Sequence, residues 1–323
     1  MSKIFTIIAV AFTVAAVAGI FLIPLLHRLK FGQEIREEGP RWHKSKSGTP
    51  TMGGFIFIAA AVLASLLGFF MSGGGVTAAH GVFSLLAVSL AFGAIGFLDD
   101  YIKVILKRNL GLRAGQKFSL QLLAALLFAV WLTCSGVIKP EVAIPFTGIS
   151  AALPYWVYIP FVVLVMLAAV NSVNLTDGID GLASCVTIVV SVFYCAASSV
   201  RGTTPVVIFS ASLIGGLLGF LIYNKFPAKV FMGDTGSLFL GGAVAAMAIY
   251  MCNPILLLIV GFVYAAESLS VIIQVTWFKK TGKRIFRMSP IHHHFEMCGW
   301  SERKIVAVFS GVTAVLCIIG FFA

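Results

Sequence analysis

The chain has 323 residues, 59% of them hydrophobic and 11% charged, and a formal net charge of +11. Soluble domains carry about 25% charged residues, so this composition and a mean hydropathy of +1.02 exclude an ordinary soluble globule. They also remove the nucleic-acid partner that a basic soluble protein would suggest.

Apolar runs fall at 4–26, 51–71, 77–98, 119–137, 156–173, 181–199, 205–223, 237–252, 254–278 and 305–322. A bilayer-spanning helix takes about 20 apolar residues. These runs predict an all-α polytopic membrane protein of about ten transmembrane helices, with 1–323 forming one domain. The first run is too long for a signal peptide and has no cleavage site, so it is expected to be a retained span. Before the second run stands Lys46-Ser-Gly-Thr-Pro-Thr-Met-Gly-Gly54. A lysine beside glycines and hydroxyls resembles a phosphate-binding turn, but the Walker A spacing is absent.

The third run ends in Asp99-Asp100-Tyr-Ile-Lys103. Carboxylates at a helix C-terminus oppose the macrodipole, and acids at a membrane border are costly. Compensation comes from Lys103 one turn on, or from Mg²⁺ shared with substrate phosphates; a solvated helix end is the bland alternative. Residues 138–154, with three prolines and a glycine, predict a short hairpin or irregular cap. The fifth run passes into Asn171-Ser-Val-Asn174-Leu-Thr-Asp177-Gly178-Ile-Asp180-Gly181, which reads as a polar site, although a single acid there would serve equally as a helix cap. Between the seventh and eighth runs lies Asn224-Lys-Phe-Pro-Ala-Lys-Val-Phe231-Met-Gly-Asp234-Thr-Gly-Ser237. A helix start with small residues can hold a phosphate, and Asp234 is either a metal ligand or an N-cap. The ninth run carries Gly261, Glu267 and Gln274, and a bend is expected at Gly261 or near Glu267, opening a lipid path. Pro290-Ile-His292-His293-His294-Phe-Glu296 follows; three adjacent histidines cannot face one metal, so a diphosphate site fits better than zinc. The six cysteines have no paired spacing and read as packing residues.

All of the 23 Lys and Arg except Lys3, Lys139 and Arg201 fall in loops on one side of this arrangement. That side is expected to be cytoplasmic, with both termini outside. All aspartates, and every histidine except His80, lie on the same side. A transporter would place ionisable groups near the bilayer midplane; here only Glu267 sits inside a run, so an enzyme working at the cytoplasmic membrane surface is expected.

Six segments, GTPTMGG at 48–54, FLDDYIK at 97–103, GLRAGQK at 111–117, NSVNLTDGIDGLA at 171–183, NKFPAKVFMGDTGS at 224–237 and PIHHHFE at 290–296, together resemble the polyprenyl-phosphate N-acetylhexosamine-1-phosphate transferases. The resemblance covers the whole chain. It implies that UDP-N-acetylmuramoyl-pentapeptide gives its phosphosugar to undecaprenyl phosphate at the bacterial inner (cytoplasmic) membrane. UMP and lipid I would be formed, for peptidoglycan assembly, with Mg²⁺ required. Asp234 is then the expected metal ligand. Asp99, Asp100, Lys103, Lys117 and His293 join it as catalytic groups, with Asp99 as the base in a direct attack or an aspartate as nucleophile in a covalent one. Substrate contacts are expected from Lys46, Asn171, Asn174, Asp177, Gly178, Asp180, Asn224, Phe231 (stacked on uracil), Gln274, His292 and His294. The family also implies a homodimer.

Overall fold

The apolar runs do form helices, and where a run ends in polar residues the helix usually carries on past it. The computed structural model describes residues 2–28, 48–104, 111–136 and 138–323. Within them α1 (Ser2–Arg28), α2 (Gly54–Met71), α3 (Val76–Val104), α4 (Ala114–Cys134), α5 (Tyr155–Thr176), α6 (Leu182–Arg201) and α7 (Thr204–Asn224) follow in order. Then come α8 (Gly233–Tyr250), α9 (Leu257–Val260), α10 (Phe262–Thr281), α11 (Ile291–Met297) and α12 (Glu302–Phe321). Among the described residues, α1 to α7 and α12 are long and apolar enough to cross a membrane, which makes this a multi-pass membrane protein. The other two expected spans correspond to α8 and to the α9–α10 pair.

The centre of the bundle is α8. From Thr235 to Tyr250 every residue is buried, as expected of a helix enclosed by protein rather than facing lipid on one side. It packs against α3, α5 and α2. On the flank, α1 meets α7 through Ala11, Ala15, Gly215 and Gly219, small residues that let two membrane helices approach closely.

Residues 138–154 contain the expected hairpin. Strand β1 (Glu141–Ile144) pairs antiparallel with β2 (Ile149–Ala152), Glu141 opposite Ala152 and Ile144 opposite Ile149. The Ala143 amide donates to the Cys252 carbonyl at 2.8 Å, tying the hairpin to the end of α8.

The ninth run is interrupted at Gly261, one of the two places where a bend is expected. Helix α9 stops at Val260, Gly261 has φ −102° and ψ 20°, and α10 begins at Phe262. Beyond this break α10 exposes Leu269, Ile272, Ile273, Trp277 and Phe278, whereas Glu267, Ser270 and Gln274 are buried on its other face. The polar residues in this span therefore face protein, and its apolar face is left for lipid.

Candidate active site

Helix α3 continues past its apolar run to Val104, so Asp99, Asp100 and Lys103 are held on a regular helix. Helix α8 begins at Gly233, earlier than the apolar run suggests, which puts Asp234 in its first turn. The two helix ends touch. A Cβ at Gly96 would lie 2.0 Å from the Asp234 carbonyl oxygen, so only glycine allows this approach.

The adjacent aspartates have different partners. Asp100 is 3% exposed. Its Oδ1 accepts from the Asp234 amide at 3.2 Å, and its Oδ2 accepts from the Thr235 amide at 2.8 Å and the Thr235 hydroxyl at 2.7 Å. A carboxylate at the end of one helix thus caps the start of another, which satisfies free N–H groups and sits at the positive end of the α8 dipole. Asp99 accepts from the Leu112 amide at Oδ1, 2.7 Å, and from the Lys103 ammonium at Oδ2, 2.6 Å. Gly111 has φ +58°, and a Cβ there would be 2.5 Å from Asp99 Oδ1, so this residue both makes the turn and leaves room for the carboxylate.

Asp234 Oδ2 receives two ammonium groups, Lys103 and Lys117, each at 2.8 Å. Lys117 is also 3.6 Å from Asp99. Oδ1 of Asp234 accepts from the Asn174 amide at 2.8 Å, and Asn174 also reaches Ser237 Oγ at 2.7 Å. Four of the predicted segments, the first and last of them more than a hundred residues apart, therefore meet at Asp234. Ser237 and the Leu112 amide are additions that residue type alone did not single out.

Asp177 caps the C-terminus of α5 next to this cluster. Among the described residues its carboxylate has no hydrogen-bond donor or cation, and burial, followed by the charges of Asp234, Asp100 and Asp180, holds it well above the usual carboxylate range. Four aspartates thus gather beside two lysines, which pair with Asp99 and Asp234. This surplus of negative charge on hard oxygen donors suits a divalent cation. Among the described residues no three His, Cys, Asp or Glu side chains form a ready-made metal cage. Mg²⁺ needs none, because it keeps waters and takes one or two carboxylates together with substrate phosphates.

The remaining predicted residues surround this centre. The Asn171 amide donates to Gln121 Oε1 at 3.0 Å, tying α5 to α4. Asn224 is buried, accepting from Ser184 and donating to the Val230 carbonyl, and Asp180 Oδ2 accepts from the Ala228 amide at 2.9 Å. Both shape the 225–231 loop that leads into α8. Phe231 donates its amide to Pro50 and accepts from Gly53, with its ring partly exposed. The Thr-Pro-Thr-Met-Gly-Gly stretch thus pairs with the approach to Asp234. Gln274 is away from the aspartates, its Oε1 accepting from the Ile285 and Phe286 amides at 3.0 Å and its Nε2 donating to the Phe286 carbonyl.

Of the three histidines, His292 is fully buried against Gly178 and Glu267. His293 Nδ1 is 2.5 Å from Glu296 Oε2. His294 Nδ1 accepts from the Arg287 amide at 3.1 Å, and so holds the loop. Lys46 lies outside the described residues.

Comparison with known proteins identifies the family. The family model for glycosyl transferase family 4 matches residues 82–252, and the phospho-N-acetylmuramoyl-pentapeptide-transferase signature 1 matches residues 46–58. The chain is 50% identical over 315 residues to the phospho-N-acetylmuramoyl-pentapeptide-transferase of Acetivibrio thermocellus, covering 97% of this chain and 93% of that one. It is 52% identical to the enzyme of the same name from Clostridium botulinum strain Alaska E43, at 97% and 94% coverage. It is 51% identical to that of Clostridium beijerinckii, at 100% and 97%. A membrane bundle with its acids gathered at the α3–α8 junction, and full-length similarity of this degree, mean that the chain belongs to the phospho-N-acetylmuramoyl-pentapeptide-transferase family within glycosyl transferase family 4.

Proposed function

We propose that this chain transfers phospho-N-acetylmuramoyl-pentapeptide from its UDP donor to undecaprenyl phosphate, forming lipid I and releasing UMP for peptidoglycan synthesis. The reaction takes place at the inner face of the bacterial cytoplasmic membrane, with both termini outside, in a homodimer. The observation that carries this reading is the shared cluster of Asp99, Asp234, Lys103 and Lys117 at a membrane helix end.

Both substrates are anionic phosphates, and two lysines at one carboxylate are a ready store of positive charge for them. When phosphate oxygens arrive, Lys103 and Lys117 turn part of their hydrogen bonding from Asp234 to the substrate, and they stabilise the charge that develops on departing UMP. Asp234, with Asp177 beside it, would hold Mg²⁺, and the cation would supply Lewis-acid screening of the diphosphate. Asp99 takes the proton of the lipid phosphate; such base assistance is commonly worth about 10² to 10⁴ in rate. Direct attack by the lipid phosphate is favoured over a covalent intermediate. Direct attack asks of Asp99 only a proton transfer, whereas the covalent route needs an oxygen of a lysine-paired carboxylate, on Asp99 or Asp234, to bond phosphorus and later be displaced.

Asn174, Asp177, Gly178 and Phe231 line the uridine side, with Phe231 stacking on the base. Asn171, Asp180 and Asn224 keep that side in place, while Asp100 anchors the first turn of α8 that carries Asp234. Lys46, His293 and His294 border the diphosphate. The test is single-turnover chemistry on the purified protein. Without lipid acceptor, a radiolabelled donor should leave no phosphosugar on the protein, and trapping of label would replace direct attack with the covalent route.

A further inference from the structure

Two fully buried titratable groups take no part in the mechanism above. Glu267 on α10 and His292 on α11 are both 0% exposed, with Nδ1 of the histidine 3.0 Å from Oε2 of the glutamate. The His292 amide also points to Oε2, at 3.4 Å. A carboxylate inside a membrane bundle is expensive, and apolar packing would attach a short helix at lower cost. What an apolar contact would not do is fix the rotation of the imidazole ring and which nitrogen bears hydrogen.

The other edge of that ring faces Gly178. A Cβ at this position would lie 2.1 Å from His292 Nε2 and 2.5 Å from Cε1. Gly178 is not among the glycines with positive φ, so its backbone does not require glycine. The ring does. Gly178 follows Asp177, the carboxylate beside Asp234 that has only like charges around it among the described residues. Among the described residues, Glu267 Oε1 and His292 Nε2 have no hydrogen-bond partner, so the Nδ1–Oε2 contact carries the hydrogen bonding that orients the ring, beside its packing on the His293 ring.

We infer that Glu267 is a positioning residue: it orients His292 so that the ring edge backs the Asp177–Gly178 turn and sets where Asp177 stands in the donor site. The inference rests on the transferase reading and deepens it. It links the lipid-facing α10 to the nucleotide side of the site through one ring, because the face of α10 opposite Glu267 is the one left to lipid.

The experiment is a set of double-mutant cycles on the full-length purified protein, reading UMP affinity, donor KM, kcat and Tm. Gly178→Ala should weaken UMP binding and raise donor KM by about tenfold, a coupling of the size seen between residues in contact. Adding His292→Ala should recover most of the UMP affinity, because the Cβ then has room. Glu267→Leu should match His292→Ala in UMP affinity, and the double variant should be no worse than either. Glu267→Gln, which keeps an acceptor for Nδ1–H, should restore most of the affinity.

Independent, multiplying losses in either cycle would overturn the inference. So would Glu267→Leu lowering Tm with UMP affinity and donor KM unchanged, since that is the behaviour of a purely structural pin. Failure of the transferase reading has a separate signature: wild-type protein that does not turn over the UDP donor. The coupling of the three residues in Tm requires no substrate and would be unaffected by that failure.

Discussion

Replacing Asp100 by Asn tests the division of labour between the adjacent aspartates. In the wild type, three donors of the first α8 turn converge on the Asp100 carboxylate, at 2.7 to 3.2 Å. Asparagine keeps one acceptor oxygen and turns an NH₂ toward at least one of those N–H groups. An unsatisfied buried donor costs about 1–3 kcal/mol, and losing a carboxylate from a helix N-terminus costs up to about 2 kcal/mol. The expected destabilisation is about 2–4 kcal/mol, read as a lowered Tm. Asp234 stands in that first turn, so it should shift as well, and a misplacement of about 1 Å costs about 10² in rate. Steady-state assay should show kcat down by about that factor with donor KM little changed, because Asp100 does not border the uridine side. A variant as stable as wild type but as inactive as Asp99→Asn would refute the capping role and place Asp100 on the substrate.

Mg²⁺ should raise the Tm of the protein in detergent, and more at about pH 8 than at about pH 5, since metal binding requires deprotonated carboxylates. The sign follows from Asp177. Its carboxyl is raised in the folded state, so the metal-free protein gains stability as pH falls from above that raised value toward the ordinary carboxylate value. A metal effect equal at both pH values would contradict this. Ala266→Trp on α10 should raise the apparent KM for undecaprenyl phosphate and leave that for the UDP donor nearly unchanged; an equal rise in both would move the lipid path elsewhere. A reporter fused after Ala323 should be active only on the outer face, and cytoplasmic activity would invert the topology.

The membrane character and the polar segments were legible because hydrocarbon is a strict solvent: long apolar runs stand out, and acids at their borders stand out against them. Even the break at Gly261 was readable, as a glycine in a long run that also carries Glu267 and Gln274. Helix ends were less so. Residues 99–104 continue α3 because Asp99 finds Lys103 one turn on and Asp100 finds α8, and no hydropathy window contains those contacts. The roles of single residues needed partners far away in the chain. Lys103 and Lys117 both belong to Asp234, more than a hundred residues later. Asn224 and Asp180 have the composition of ligand-binding residues but hold a loop, and Glu267, read as a mark of the lipid groove, is occupied by His292.

The most direct measurement is UMP release by purified protein supplied with UDP-N-acetylmuramoyl-pentapeptide, undecaprenyl phosphate and Mg²⁺. Wild type should release UMP in step with lipid-linked product and only when both substrates are present, while Asp234→Asn, which removes the charge that two lysines share, should be slower by about 10² to 10³-fold. UMP release without the lipid, or an Asp234→Asn variant of near-normal rate, would contradict the account.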